Sequence, residues 1–87
     1  TEFKGLAFPN PAVDQTTLEI ELPESTETLY IRLLDLNGLL LEEINNDSKE
    51  MGVHRFSINL SNLKAGTYLV DVRYNDKKQI VRIIKGY

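Results

Sequence analysis

His54 is the only histidine in this chain, the side-chain type most used for acid–base and metal chemistry, and it stands alone. Imidazole chemistry needs company, either a second histidine, a cysteine or a converging carboxylate. The chain has no cysteine and no other histidine, so His54 reads as a side chain at the start of a strand. Glu19, Glu21, Glu24 and Glu27 could supply a hydrolytic carboxylate pair or a calcium site. Yet Glu19 and Glu21 alternate with Leu18, Ile20 and Leu22, which puts them on the water-facing side of a strand. Asn45-Asn46-Asp47 offers oxygen ligands, but without the alternating spacing around a glycine that a calcium loop uses. Ser25, Ser48, Ser57 and Ser61 lack a Gly-x-Ser-x-Gly elbow, and the isolated glycines build no phosphate cradle. Tyr30, Tyr68, Tyr74 and Tyr87 are too scattered for a stacking platform. The expectation is a domain with no catalytic residue, no metal and no cofactor.

The elements that would position these side chains are strands. Thr17 to Leu22 alternates strictly, as a half-buried antiparallel strand does. Pro23 and Glu24-Ser25-Thr26-Glu27 end it. From Thr28 to Leu36 apolar residues occupy both faces, Leu29, Ile31 and Leu33 against Tyr30, Leu34 and Leu36, which predicts an inner strand. Asp35-Leu36-Asn37-Gly38 is a tight turn, and Gly38 to Ile44 returns. Asn45 to Lys49 reads as a polar loop closed by Gly52. Val53 to Leu60 alternates with His54, Phe56, Ile58 and Leu60 inward. A corner over Ser61 to Gly66 leads to Thr67–Tyr74, with Tyr68, Val70 and Val72 buried and Asp71 and Arg73 facing water. Asn75-Asp76 is a turn, and Lys78 to Lys85 is the last strand.

Six such strands, with a further short one around Leu6-Ala7-Phe8, recur at a spacing of roughly 8–12 residues, the pattern of a sandwich or barrel. No window carries a helical period; only Ser48 to Met51 could hold a helical turn. The fold expected is all-β, an immunoglobulin-like antiparallel β-sandwich of about six to seven strands, with residues 1–87 as one domain. At 87 residues, 41% hydrophobic and 26% charged, the chain is too apolar for a disordered tail and too short for a second core. Its net charge of -3 and dispersed Lys and Arg residues argue against nucleic acid. The longest apolar runs are a few residues, such as Leu39-Leu40-Leu41, which argues against membrane insertion. The stretch shows no signal peptide, so any export address is expected upstream. Without cysteine the redox compartment stays unread.

One local pattern is more specific. In Leu63-x-x-Gly66-x-Tyr68-x-Val70-x-Val72, a tyrosine just past a corner is placed to bury its ring and bond its hydroxyl to backbone at the bend. Leu63 caps the core beneath it.

Taken in order, Phe8-Pro9-Asn10-Pro11-Ala12, Asp35-Leu36-Asn37-Gly38, Leu63-Lys64-Ala65-Gly66-Thr67-Tyr68-Leu69-Val70 and Lys78-Gln79-Ile80-Val81-Arg82-Ile83-Ile84-Lys85 resemble the C-terminal sorting domain of type IX secretion cargo from Bacteroidetes. The resemblance implies a domain at the end of an exported protein, carried to the periplasm and read by the type IX outer-membrane translocon. It also implies a sortase that removes the domain and joins the upstream cargo to an anionic lipopolysaccharide. Recognition would lie in the last two strands, Gly66 to Tyr74 and Lys78 to Lys85. The recognition residues expected are Pro9, Asn10, Pro11, Asp35, Gly38, Leu63, Gly66, Tyr68, Lys78, Arg82 and Lys85.

Physically, Pro9 and Pro11 suit an extended lead-in that does not pair and holds the cargo linker off the sheet. Lys77, Lys78, Arg82 and Lys85 charge a terminal edge strand, either to prevent aggregation or to receive a docking strand. Gly86-Tyr87 departs from the basic ending usual in such domains, and no sortase junction is read between Thr1 and Pro9. The competing account is an immunoglobulin-like or fibronectin-like spacer or adhesion module. An aromatic groove on one sheet face would favour that account, and a uniformly polar surface with one open edge the sorting signal.

Overall fold

The computed structural model describes residues 4–86, so the readings that fall on Thr1 and Tyr87 lie outside the described residues. Seven strands run in chain order: β1 (Lys4–Phe8), β2 (Gln15–Leu22), β3 (Thr26–Leu34), β4 (Leu40–Lys49), β5 (Gly52–Asn59), β6 (Gly66–Tyr74) and β7 (Lys77–Lys85). They form a three-stranded sheet, β1-β2-β5, and a four-stranded sheet, β4-β3-β6-β7, with every strand pairing antiparallel.

Period-two patterning builds the core. Leu18, Ile20 and Leu22 of β2 face Leu29, Ile31 and Leu33 of β3, with Val70, Val72 and Tyr74 of β6 and Val81 and Ile83 of β7. Ile58 and Leu60 close one side. Burying each large aliphatic side chain contributes about 1.5–3 kcal/mol, so removing any one of them is costly. The sheets approach closely at Gly5, where an added Cβ would lie 3.2 Å from Gln79 Oε1 and 3.3 Å from Val81 Cγ2.

Four local expectations need correction. Asn45 to Lys49 is not a loop but the second half of β4. On an exposed edge strand, backbone pairing to one neighbour suffices and apolar side chains are not required. The Asn45 side chain also donates to the Leu29 carbonyl at 2.8 Å, beside one of three register shifts between β3 and β4. Ser48 and Lys49 therefore stay extended, and no helical turn forms there. Thr26, read as part of a strand-ending stretch, instead begins β3, while Leu36 lies beyond the strand in the turn. Asp71, expected in water, is 2% exposed. It sits on the outer face of the four-stranded sheet, where Arg32 of β3 stands directly opposite and covers it.

Candidate functional site

The Pro9-Asn10-Pro11 segment does the opposite of what an extended, non-pairing lead-in would do. Both Phe8-Pro9 and Asn10-Pro11 are cis, and the chain between β1 and β2 crosses from the three-stranded sheet to the free edge of β7. The Asn10 amide behaves like a strand residue: Nδ2 donates to the Arg82 carbonyl and Oδ1 accepts from the Ile84 N–H, each at 2.9 Å. Ala12 N–H then donates to the Ile84 carbonyl at 2.8 Å, and Gly86 N–H to the Ala12 carbonyl at 2.7 Å, a short parallel bridge. Lys85 Nζ donates to the Val13 carbonyl at 2.6 Å. Ala12 is fully buried beneath this clasp, and buried Thr16 ties it to β2 by donating to the Pro9 carbonyl at 2.9 Å. An edge that the sequence presents as open is closed from Arg82 to Gly86.

The other motifs are turns that aim β6 and β3. Tyr68 Oη donates to the Lys64 carbonyl at 2.6 Å, as expected of a tyrosine at a sandwich corner. Its half-buried ring and Leu63 pack on the core. Gly66, at φ 152°, opens β6 from a backbone conformation that L residues rarely adopt. At the β3–β4 hairpin, Asp35 Oδ1 accepts from the N–H groups of Asn37 and Leu39 at 2.8 and 2.9 Å, and Gly38, at φ 87°, donates to the Asp35 carbonyl at 3.1 Å.

Register brings these pieces to one pole. Leu34, which ends β3, stands beside Leu69, near the start of β6, and Leu69 beside Arg82, near the end of β7; Gly66 pairs with Lys85. Pro9, Asn10, Pro11, Asp35, Gly38, Leu63, Gly66, Tyr68, Arg82 and Lys85 therefore share that end of the sandwich. Lys78 does not. It lies opposite Arg73 toward the other end, where Lys77 pairs with Glu24 at 3.4 Å.

Sequence reasoning missed two residues with clear roles. One is Ala12, whose small side chain allows the clasp to close. The other is Asp71, bridged by Arg32 at 2.9 Å and Arg73 at 3.1 Å. Burial alone would push the Asp71 carboxyl up; hydrogen bonds and charge from Arg73 and Arg32 outweigh it and hold the group below the usual carboxylate range. A single acid inside the apolar run Leu69-Val70-Asp71-Val72 on a central strand was the available signal.

Among the described residues, the candidate acid and base groups are engaged singly in structural contacts. His54 donates from Nε2 to the Glu50 carbonyl at 2.7 Å. Glu19 is engaged by Arg55 at 2.8 Å, and Glu24 by Asn75 and Lys77. Among the described residues no group of three or more His, Cys, Asp or Glu could hold a metal ion, and no helix is long and apolar enough to cross a membrane.

Fold and pole together define a class: an immunoglobulin-like β-sandwich whose distinctive residues anchor its own terminal strands. The chain belongs to the secretion system C-terminal sorting domain family, whose model matches residues 6–86. No curated protein and no solved structure matches it. It is thus a C-terminal sorting signal of type IX secretion, from a family that is not an enzyme family. Membership entails interaction with the type IX machinery and export across the outer membrane to the cell surface or medium.

Proposed function

We propose that this domain delivers an upstream cargo, covalently joined in cis, to the type IX outer-membrane translocon from the periplasm. A sortase then removes it and attaches the cargo to an anionic lipopolysaccharide at the surface. In that last step the scissile peptide bond breaks, the domain leaves with a free amino group, and the cargo acyl group passes to a nucleophile of the lipopolysaccharide. The observation that carries the proposal is the convergence of motifs from four separated stretches on the pole where β6 begins and β7 ends. Asn10, between Pro9 and Pro11, fixes the β7 backbone; Leu63, Gly66 and Tyr68 set the start of β6; Asp35 and Gly38 set the neighbouring hairpin. Arg82 and Lys85 carry charge at the pole, and Lys78 extends it along β7.

The test is a periplasm-targeted fluorescent reporter carrying residues 1–87 at its C-terminus, in a bacterium with a type IX system, beside the same reporter without the domain. Export of the first alone is expected, with mass spectrometry finding the exported reporter stripped of the domain and joined to lipopolysaccharide. Retention of a folded fusion would refute the sorting role. Export of the intact fusion would refute the sortase step. Deleting β7 is a poor control, because it strips Val81 and Ile83 from the core and so reports on folding.

A further inference from the structure

We infer that the outer face of the four-stranded sheet, and not the edge of β7, is the surface on which this domain docks, and that its partner is an apolar, carboxylate-bearing protein surface. The inference rests on the sorting function above and names the surface through which it works.

Both edges of this sheet are defended against strand addition along part of their length. β7 is capped from Arg82 onward by Asn10 and Ala12. β4 carries three register shifts, and such irregularities bend an edge away from pairing. The face between them is open. Leu40, Leu34, Leu69 and Arg82 lie abreast across β4, β3, β6 and β7. Ile80 and Ile84 flank Arg82 on β7, and Leu40, Ile80 and Ile84 are 48%, 43% and 42% exposed. The solvent side of an antiparallel sheet is ordinarily polar; the opposite sheet exposes Leu6, Phe8 and Val53 as well, but there Glu19 and Glu21 balance Arg55 and Lys4, so that face lacks the excess of positive charge. The exposed patch is mainly aliphatic, with the single aromatic ring of Tyr30 further along the face opposite Arg73, and so is neither an aromatic groove nor a uniformly polar surface.

Charge selects the partner. Arg32 and Arg73 together exceed the single charge of Asp71. Lys78 and Arg82 make no ion pair among the described residues, and Glu43, opposite Arg32, joins Asp71 as a carboxylate on this face, which leaves the four cations in excess. A positive, aliphatic face on a chain of net charge -3 matches apolar groups interspersed with carboxylates. A second copy fits poorly, since a two-fold contact would set Lys78 and Arg82 against the same cations. The domain measures 37 × 23 × 20 Å, so one sheet face can bury only several hundred Å², within the range of weak, transient interfaces. That suits a signal which must be released.

The test uses the full 1–87 reporter fusion with three paired variants: Ile80→Glu with Ile84→Glu, Lys78→Glu with Arg82→Glu, and, on the opposite sheet's outer face, Leu6→Glu with Val53→Glu. Purified domains are compared for unfolding midpoint and for binding to purified detergent-solubilised translocon. The first two pairs are expected to stay folded and to lose about tenfold or more in binding and export, while the third matches the parent. If the isoleucine pair fails to fold, Ile80→Thr with Ile84→Thr keeps the β-branched shape and tests the same contact. Folded face variants that bind and export like the parent would overturn the docking face and leave the sorting role standing. A parent fusion that is never exported would overturn the sorting role itself. Binding to vesicles of anionic phospholipid but not to translocon, lost in the Lys78–Arg82 pair, would replace the protein partner with a membrane.

Discussion

Replacing Asn10 with alanine probes the clasp at its narrowest point. The change removes the bond to the Arg82 carbonyl and the bond from the Ile84 N–H, both at 2.9 Å, and leaves no cavity because Asn10 is exposed. Each such bond contributes a net of about 0.5–1.5 kcal/mol. Water can reach the freed groups, so the sum belongs near the low end, about 1–2 kcal/mol. For a domain of this size that lowers the melting temperature by roughly 5–10 °C. Asn10→Asp is a sharper comparison: it keeps the acceptor for Ile84 but sets a carboxylate against the Arg82 carbonyl, so it should cost about as much. Urea denaturation gives the energy, and native-state hydrogen exchange locates it, since the Ile84 and Gly86 amides should lose protection while Val70 and Val72 keep theirs. An unchanged melting temperature, with Ile84 still protected, would refute the view that the Asn10 amide holds β7.

Tyr68→Phe removes the hydroxyl bond to Lys64 and should cost about 1 kcal/mol in urea denaturation; no loss would mean the corner does not depend on it. Asp71→Asn should cost roughly 2–3 kcal/mol at neutral pH, discounted from the deeply buried case because Arg32 and Arg73 remain partly exposed. The folded Asp71 pKa is depressed, so its stabilisation is present above the unfolded value, about 3.9, and lost as pH falls through the folded one. The gap between parent and variant should therefore narrow below about pH 4, as melting curves across an acid series will show. Gly5→Val places branched atoms where a single Cβ already meets Gln79 and Val81 at 3.2–3.3 Å, and should lower the melting temperature by several degrees or more. Gly66→Ala, at φ 152°, should cost about 1–2 kcal/mol by calorimetry.

The strands were legible because burial on one face enforces a two-residue period, as Leu18, Ile20 and Leu22 show. The Asn75-Asp76 turn and the Asp35–Gly38 hairpin were legible because their backbone demands narrow the residue types. The Tyr68 corner was legible through its spacing from Leu63 and Gly66. Polar Asn45 to Lys49 was misread because an edge strand pairs by backbone, which leaves little trace in side-chain pattern. The clasp was invisible for a different reason. Its partners, Asn10 with Ile84 and Ala12 with Gly86, are more than 70 positions apart, and local pattern carries no signal across such distances. Asp71 was misassigned because alternation tells which face a residue takes, and not whether neighbouring guanidinium groups shield that face from water.

The clasp also makes this pole the last part of the sandwich that can close. Asn10 and Ala12 are made early during synthesis, yet their partners are Arg82, Ile84 and Gly86. Until those residues exist, the early segment has nothing to hold and Ala12 has no buried site. The contact closes a loop spanning nearly the whole sandwich, so its entropic cost falls due only when the final strand arrives. A chain that stops before residue 82 cannot assemble this pole. The finished pole thus depends on residues from both ends of the sandwich being present together.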